Sequence, residues 1–344
     1  MDCRRLNLPK GGHKGRPYSS LASDVGSVLN RRAFMKSAML AVGAAWAVCG
    51  DEGQGSPATP LSSFKLGAIS DGFTQDFEQA LKIMKGYGLS WVEIRGLWGK
   101  YNTDATPEEI KRVKGLLDQY SFKCSVVDSG FYKCVLPETK PVSMEGGYHI
   151  PYSGQMDLLK RAMDRCHAWG TDKIRIFTFW RVANPQEIYP RISEDLARAA
   201  ELARTGGVRL VIENEEACNA GTGHELAAIV KMTPAPNLGY NWDVGNGYDH
   251  GEVAYPEGYG ALDKSRIWNM HLKGIECAQG FKQCRETFAD KGVIDLAGQL
   301  RALLRDHYTE TMSLECESSA PGMTHQQTTE RSLEGLLRVV KTLG

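Results

Sequence analysis

Short apolar runs alternate along this chain with segments whose apolar residues recur at helical spacing. The runs Leu66–Ile69, Trp91–Ile94, Cys124–Val127, Lys173–Phe177, Arg209–Ile212, Leu238–Trp242, Ile267–Met270 and Thr311–Leu314 are apolar or β-branched. Each is bounded by turn-forming or polar residues, which predicts eight strands. Between them, Phe77, Ala80, Leu81 and Met84 follow the i, i+3, i+4, i+7 rule, as do Leu333, Leu336, Leu337 and Val340. Thr106-Pro107-Glu108-Glu109 is a capping box with proline at the first helical position, and it opens a helix carrying Ile110, Val113 and Leu117.

Strands that read as continuous apolar runs are covered on both faces, the signature of a parallel sheet. Eight strand–helix units predict a closed (β/α)8 TIM barrel, an α/β fold that typically takes about 250 residues. An open doubly wound sheet is the alternative. Ser70-Asp71-Gly72-Phe73 follows the first strand where a Gly-rich phosphate loop would stand, which disfavours nucleotide binding. The connections Phe131–Gln155 and Gly274–Gly292 are long and leave the C-terminal ends of strands 3 and 7, where barrels place their active sites.

The remaining residues precede the first strand. Asn30-Arg31-Arg32-Ala33-Phe34-Met35-Lys36 stands before a small, apolar stretch from Ala38 to Ala47 that ends in Ala45-Trp46-Ala47. That order reads as a cleavable signal peptide of twin-arginine type. It predicts an unstructured signal segment and linker over 1–60, a barrel over 61–344, use of the twin-arginine export machinery, and a periplasmic destination. Cys49 raises the question of a lipid anchor, which Val48 before it disfavours. No run is long enough to span a bilayer. Lys plus Arg and Asp plus Glu are 41 each, so the chain lacks the basic surplus of a nucleic-acid binder. The nine cysteines include no CxxC pair, which argues against a zinc ribbon or a disulfide framework. Most are expected as small reduced core residues, with one disulfide left open.

The chemistry is concentrated at four successive strand ends. Leu210-Val211-Ile212 ends in Glu213, Tyr240-Asn241-Trp242 in Asp243, Trp268-Asn269-Met270 in His271, and Met312-Ser313-Leu314 in Glu315. On neighbouring staves of a barrel these side chains converge. One such carboxylate alone is ordinarily a cap or an ion-pair partner. Three together in a partly buried site repel unless a counter-charge is present. A divalent ion supplies that charge, and O3N ligation suits Mn2+, Mg2+, Co2+ or Zn2+.

From Phe64 onward the sequence resembles the sugar-phosphate isomerase/epimerase, or xylose-isomerase-like, TIM barrels. The resemblance rests on Ile212-Glu213-Asn214, Asp243-Val244-Gly245-Asn246, His271-Leu272-Lys273-Gly274, Leu314-Glu315 and Gly292-Val293-Ile294-Asp295. It implies that Glu213, Asp243, His271 and Glu315 bind one divalent ion, often Mn2+, in an isomerase or epimerase. Glu213 and Glu315 would then be the acid/base pair for proton transfer through an enediolate, with Asp243 and His271 holding the metal. Many epimerases of the family carry His where Asn246 stands, and an amide does not titrate near neutrality. Together with export, this points to a small, unphosphorylated or oxidised sugar or cyclitol as substrate. A lyase or hydrolase of oxidised glycosides, or a non-catalytic sugar-binding protein, fits the same scaffold. A metal-dependent endonuclease is disfavoured by the neutral charge. The oligomeric state is left open.

Further candidates for substrate contact are Asn246, Lys273, Glu93, Trp98 and Trp180. Lys273 could position an oxyanion, while Trp98 and Trp180 could stack on a sugar ring or simply pack. Glu93 could equally pair with Arg95. Glu215 and Glu317 share strand parity with the ligands but lie two residues farther out, where they could support the ligands from behind or simply be solvated. Solvation is the simpler reading for Glu317. His149 could reach the pocket, whereas His224 and His307 read as surface residues.

Overall fold

Eight strands close on themselves in parallel. The computed structural model describes residues 64–343 apart from 147, 148, 279 and 282, so the expected signal segment and linker, with Cys49, lie outside the described residues. The strands are β1 (Lys65–Ile69), β2 (Trp91–Ile94), β3 (Lys123–Asp128), β4 (Lys173–Ile176), β5 (Arg209–Glu213), β6 (Leu238–Asp243), β7 (Ile267–Leu272) and β8 (Thr311–Leu314). They run in the order β1-β8-β7-β6-β5-β4-β3-β2, and β1 pairs with both β2 and β8. That closure makes a TIM barrel and excludes the open sheet. The apolar runs foretold the strand centres, but pairing carries on into their polar ends. Glu213 faces Asn241 across the β5–β6 ladder, and Asp243 faces His271 across β6–β7.

The helices are α1 (Phe77–Gly86), α2 (Pro107–Tyr120), α3 (Gln155–Trp169), α4 (Tyr189–Thr205), α5 (Gly223–Met232), α6 (Tyr259–Ala261), α7 (Leu296–Arg305) and α8 (His325–Lys341). Thr106 caps α2 in the expected box with Glu109. The exception is the connection after β6, which forms only short turns over Asn246–His250 and Ala254–Gly258 before the single turn of α6. Glycines at 245, 247, 251, 258 and 260, with Pro256, leave too little helix propensity for more. Among the described residues no helix is long and apolar enough to cross a membrane.

The described residues of both long connections lie at the C-terminal end of the barrel. The segment after β3 is tied to the segment after β4 through Phe177 N to Phe131 O (3.0 Å), Phe179 N to Tyr132 O (2.8 Å) and Trp180 N to Cys134 O (2.9 Å). The segment after β7 folds into an antiparallel hairpin, Gly274–Ala278 against Gln283–Thr287. There Cys277 and Cys284 stand directly opposite and form a disulfide. Cys124, Cys134, Cys166, Cys218 and Cys316 are free and buried. The chain leaves the hairpin at Gly292 with φ +85°, where a Cβ would lie 1.9 Å from the Ile275 carbonyl oxygen, so only glycine fits. Three residues on, Asp295 caps α7 by accepting from Gly298 N at 2.8 Å.

Candidate metal centre

The four strand-end side chains meet. Glu213, Asp243, His271 and Glu315 are all buried, and each offers one ligand atom within 4.8 Å of the other three. Their orientation follows from the hydrogen bonds that hold the other atoms. Asp243 Oδ1 accepts from Gly245 N (2.7 Å) and Asn246 N (2.8 Å) at the turn after β6. Glu213 Oε2 is 3.2 Å from Arg175 Nη1 on β4, and Glu315 Oε1 is 3.1 Å from Arg95 Nη1 just after β2. Glu213 Oε1, Asp243 Oδ2 and Glu315 Oε2 are thereby turned to the middle, at 2.8, 3.8 and 3.2 Å from His271 Nδ1.

The imidazole is fixed from its other side. His271 Nε2 lies 2.9 Å from Glu93 Oε1, a carboxylate oxygen that accepts from an Nε2–H, and Nδ1 faces the centre. Glu93 is completely buried, and its second oxygen accepts from Asn269 Nδ2 at 3.0 Å. This corrects the expectation that Glu93 touches substrate or pairs with Arg95, because both of its oxygens are engaged inside the barrel. Arg95 instead reaches Asp71, Glu315 and Glu317. Below Glu93 the chain of polar contacts continues through Asn269 and Thr311 to Lys173 near the opposite mouth.

Burial, against which Lys273 acts and with which Glu315 and Glu213 act, raises the Asp243 carboxyl to about 7. Burial pushes the His271 imidazole down, but Glu315, Glu213 and Glu93 hold it well above its ordinary value. Burial likewise opposes ionisation of Glu315, yet Lys273 and His271 keep it well below the carboxylate range. The donor set therefore fits a divalent ion: three carboxylate oxygens and one imidazole nitrogen face one point, each oriented by a second partner. Asp243 Oδ2 fits best of all, being buried and without a hydrogen-bond donor of good direction. Lys273 Nζ is 2.9 Å from it, but off the line of a hydrogen bond.

Lys273 also modifies the electrostatic argument drawn from the sequence. With Arg175 and Arg95 it brings protein cations to all three carboxylates, so the repulsion is partly relieved within the chain itself. Sequence reasoning overlooked Arg175, Asn241 and Asn269. The signal was their parity, since Asn241 and Asn269 stand two residues before Asp243 and His271 on the same strand faces.

A cavity of about 190 Å3 lies at this end, lined by Glu216, Asn246, Lys273, Arg285, Glu286 and Glu317 among others. Asn246 donates its amide to Asn214 O (2.9 Å) and accepts from Lys273 Nζ (3.2 Å). Glu215 is buried and bridged by Lys133 at 3.3 Å, whereas the Glu317 side chain is exposed beside Arg95. Trp180 is buried, with Lys133 over its ring and His149 edge-on at 4.8 Å. Trp98 is set apart from this group. Its ring lies against Phe77 of α1 and under Arg112 of α2, which makes it a packing residue. His224 pairs with Glu252, and His307 is exposed just beyond α7.

A family model described as xylose isomerase-like TIM barrel matches residues 81–339. No curated protein matches the chain. Among solved structures, the IolI protein with a bound zinc atom is 16% identical, with TM-score 0.63 over 82% of this chain and 99% of that one. A 3-keto-D-glucoside 4-epimerase from E. coli is 14% identical, with TM-score 0.60 over 80% and 99%. A Mycobacterium smegmatis protein of the same fold in complex with magnesium is 16% identical, with TM-score 0.57 over 78% and 89%.

Proposed function

The chain belongs to the xylose isomerase-like TIM-barrel family, and we propose that it is a divalent-metal-dependent sugar isomerase or epimerase. The observation that carries this reading is the convergence of Glu213 Oε1, Asp243 Oδ2, His271 Nδ1 and Glu315 Oε2 at the floor of the barrel mouth. When bound, a divalent ion would supply Lewis acidity to neighbouring substrate oxygens. Mn2+ is our first choice, with Mg2+, Co2+ and Zn2+ suited to the same donors.

Glu213 and Glu315 are the proposed acid/base pair. Each would give its centre-facing oxygen to the ion, which leaves the oxygen beside Arg175 or Arg95 as the one to take or return a proton at a carbon beside a carbonyl. Asp243 and His271 serve to hold the ion. Asn246 and Lys273 line the cavity and are placed to meet substrate oxygens.

The substrate class we favour is an unphosphorylated or oxidised sugar or cyclitol. Glu286 and Glu317 stand beside Lys273 and Arg285 around the cavity, which therefore lacks the surplus of cations that holds a phosphate group. A second reading is elimination of a substituent from an oxidised glycoside, since Asn246 cannot titrate and so adds no acid or base for a simple epimerisation. We further propose export by the twin-arginine route to the periplasm. The Cys277–Cys284 disulfide supports an oxidising destination.

Incubation of the manganese-loaded protein in D2O with free and oxidised sugars tests the reaction class. Deuterium is expected at a carbon beside the carbonyl, and a released leaving group would mark elimination. Turnover of a sugar without any deuterium incorporation would overturn proton transfer as the mechanism.

A further inference from the structure

The amine of Lys273 lies where two of the proposed metal ligands present their free oxygens. It is 2.9 Å from Asp243 Oδ2 and 2.7 Å from Glu315 Oε2, with Asn246 Oδ1 as a third contact at 3.2 Å. The alternative oxygens are engaged elsewhere, Asp243 Oδ1 by the backbone of Gly245 and Asn246, and Glu315 Oε1 by Arg95. The fold also makes room for the lysine stem. A Cβ at Gly245 would come within 2.7 Å of Lys273 Cδ, so the absent side chain at 245 lets the stem lie inward. Lys273 is 5% exposed, which sets it apart from a surface lysine that happens to swing over the site.

We propose that Lys273 is a built-in counter-cation of the acidic centre, which competes with a divalent ion for Asp243 and Glu315 and sets how tightly that ion is held. The inference rests on the metal-site reading above. An ammonium and a metal ion cannot share one pair of oxygens at contact distance, so loading the site moves the amine off Asp243 and Glu315. Without the ion, the same amine keeps two buried carboxylates from facing each other uncompensated. The protein thus folds with its centre neutralised and gives up part of the ion's affinity in return.

The test is calorimetric titration of metal-stripped protein with MnCl2, comparing wild type, Lys273→Met, Lys273→Arg, Lys65→Met and Glu213→Gln. Lys273→Met should bind Mn2+ more tightly by about tenfold or more, since one repelling charge a few ångströms away is gone. Lys273→Arg, which keeps the charge, and Lys65→Met, at the opposite mouth, should stay within about threefold of wild type. In thermal melts, metal-free Lys273→Met should unfold at lower temperature than wild type and gain more from added Mn2+. Lys273→Gln repeats the comparison should the methionine variant not fold without metal. Unchanged or weaker binding in Lys273→Met, alongside weaker binding in Glu213→Gln, would overturn this inference and leave the metal site standing. Absence of binding in wild type and in both uncharged variants would overturn the metal site as well.

Discussion

His271 Nε2 lies 2.9 Å from Glu93 Oε1, and both side chains are completely inaccessible to solvent. The carboxylate holds the Nε2 edge of the ring and so turns Nδ1 to the centre, where Glu213, Glu315 and Asp243 gather. Glu93 on β2, separated from β7 by β1 and β8, therefore orients the ring whose Nδ1 an ion would meet.

Replacing Glu93 by Ala should lower metal affinity by about 10–100-fold, the usual cost of removing a partner that orients a ligand. Titration with Mn2+ measures this directly. At saturating metal the KM for substrate should stay near wild type, because Glu93 has no face to the cavity. A raised KM with unchanged metal affinity would return Glu93 to substrate contact.

Glu213→Gln and Glu315→Gln should each abolish turnover and weaken metal binding, since each removes both a charge from the centre and a proton-transfer group. Glu317→Gln should retain most of its activity, because that side chain is exposed and contributes one of several contacts to Arg95. Steady-state rates and bound-metal analysis on the three variants check the difference.

Much of this arrangement was legible in the sequence because strand length and ligand position are local properties. A run such as Leu210-Val211-Ile212 can only be buried on both faces, and a charged residue at its end must lie at the barrel rim or inside it. What the sequence did not reveal depends on which distant residues meet. Nothing in Cys277 and Cys284, seven positions apart, announces a hairpin that sets them opposite each other. Arg175 reads locally as a charged interruption of β4, and only the pairing of β4 with β3 and β5 brings it to Asp128 and Glu213. Trp98 follows a strand, as a sugar-stacking residue would, but the short turn around it directs the ring outward onto α1 and α2.

The hairpin carries Arg285 and Glu286 to the cavity, and Glu286 also accepts from Glu317 N and Ser318 N beyond β8. Converting Cys277 and Cys284 to Ser should therefore raise KM more than it lowers kcat, with little change in the melting temperature of the barrel. The closed loop is short and lies outside the barrel ladder, so little of the global stability depends on it. Kinetics of the double variant alongside the oxidised wild type give the answer. A large fall in melting temperature with unchanged KM would show the disulfide to be a general staple.

At the opposite mouth, Glu310 pairs with Lys173 (3.1 Å) and Arg209 (2.8 Å). Burial opposes its charge, but Arg209 and Lys173 hold its carboxyl below the ordinary value. A carboxylate with a lowered folded pKa adds stability above its unfolded value, and that stability is lost as pH falls through the folded value. Glu310→Gln should thus cost about 1–3 kcal/mol near pH 7, because it leaves the buried Lys173 ammonium without its carboxylate. The gap from wild type should narrow below about pH 4. Denaturant unfolding at several pH values measures it, and a gap that widens on acidification would contradict the pairing.

The central claim is that one divalent ion is held by side chains from four adjoining strands. Anomalous diffraction at the manganese edge from crystals soaked in MnCl2 tests it most directly. A single peak about 2.0–2.3 Å from Glu213 Oε1, Asp243 Oδ2, His271 Nδ1 and Glu315 Oε2 is the expected result. A map with no peak there at saturating Mn2+, or with its peak at another group of residues, would contradict the account.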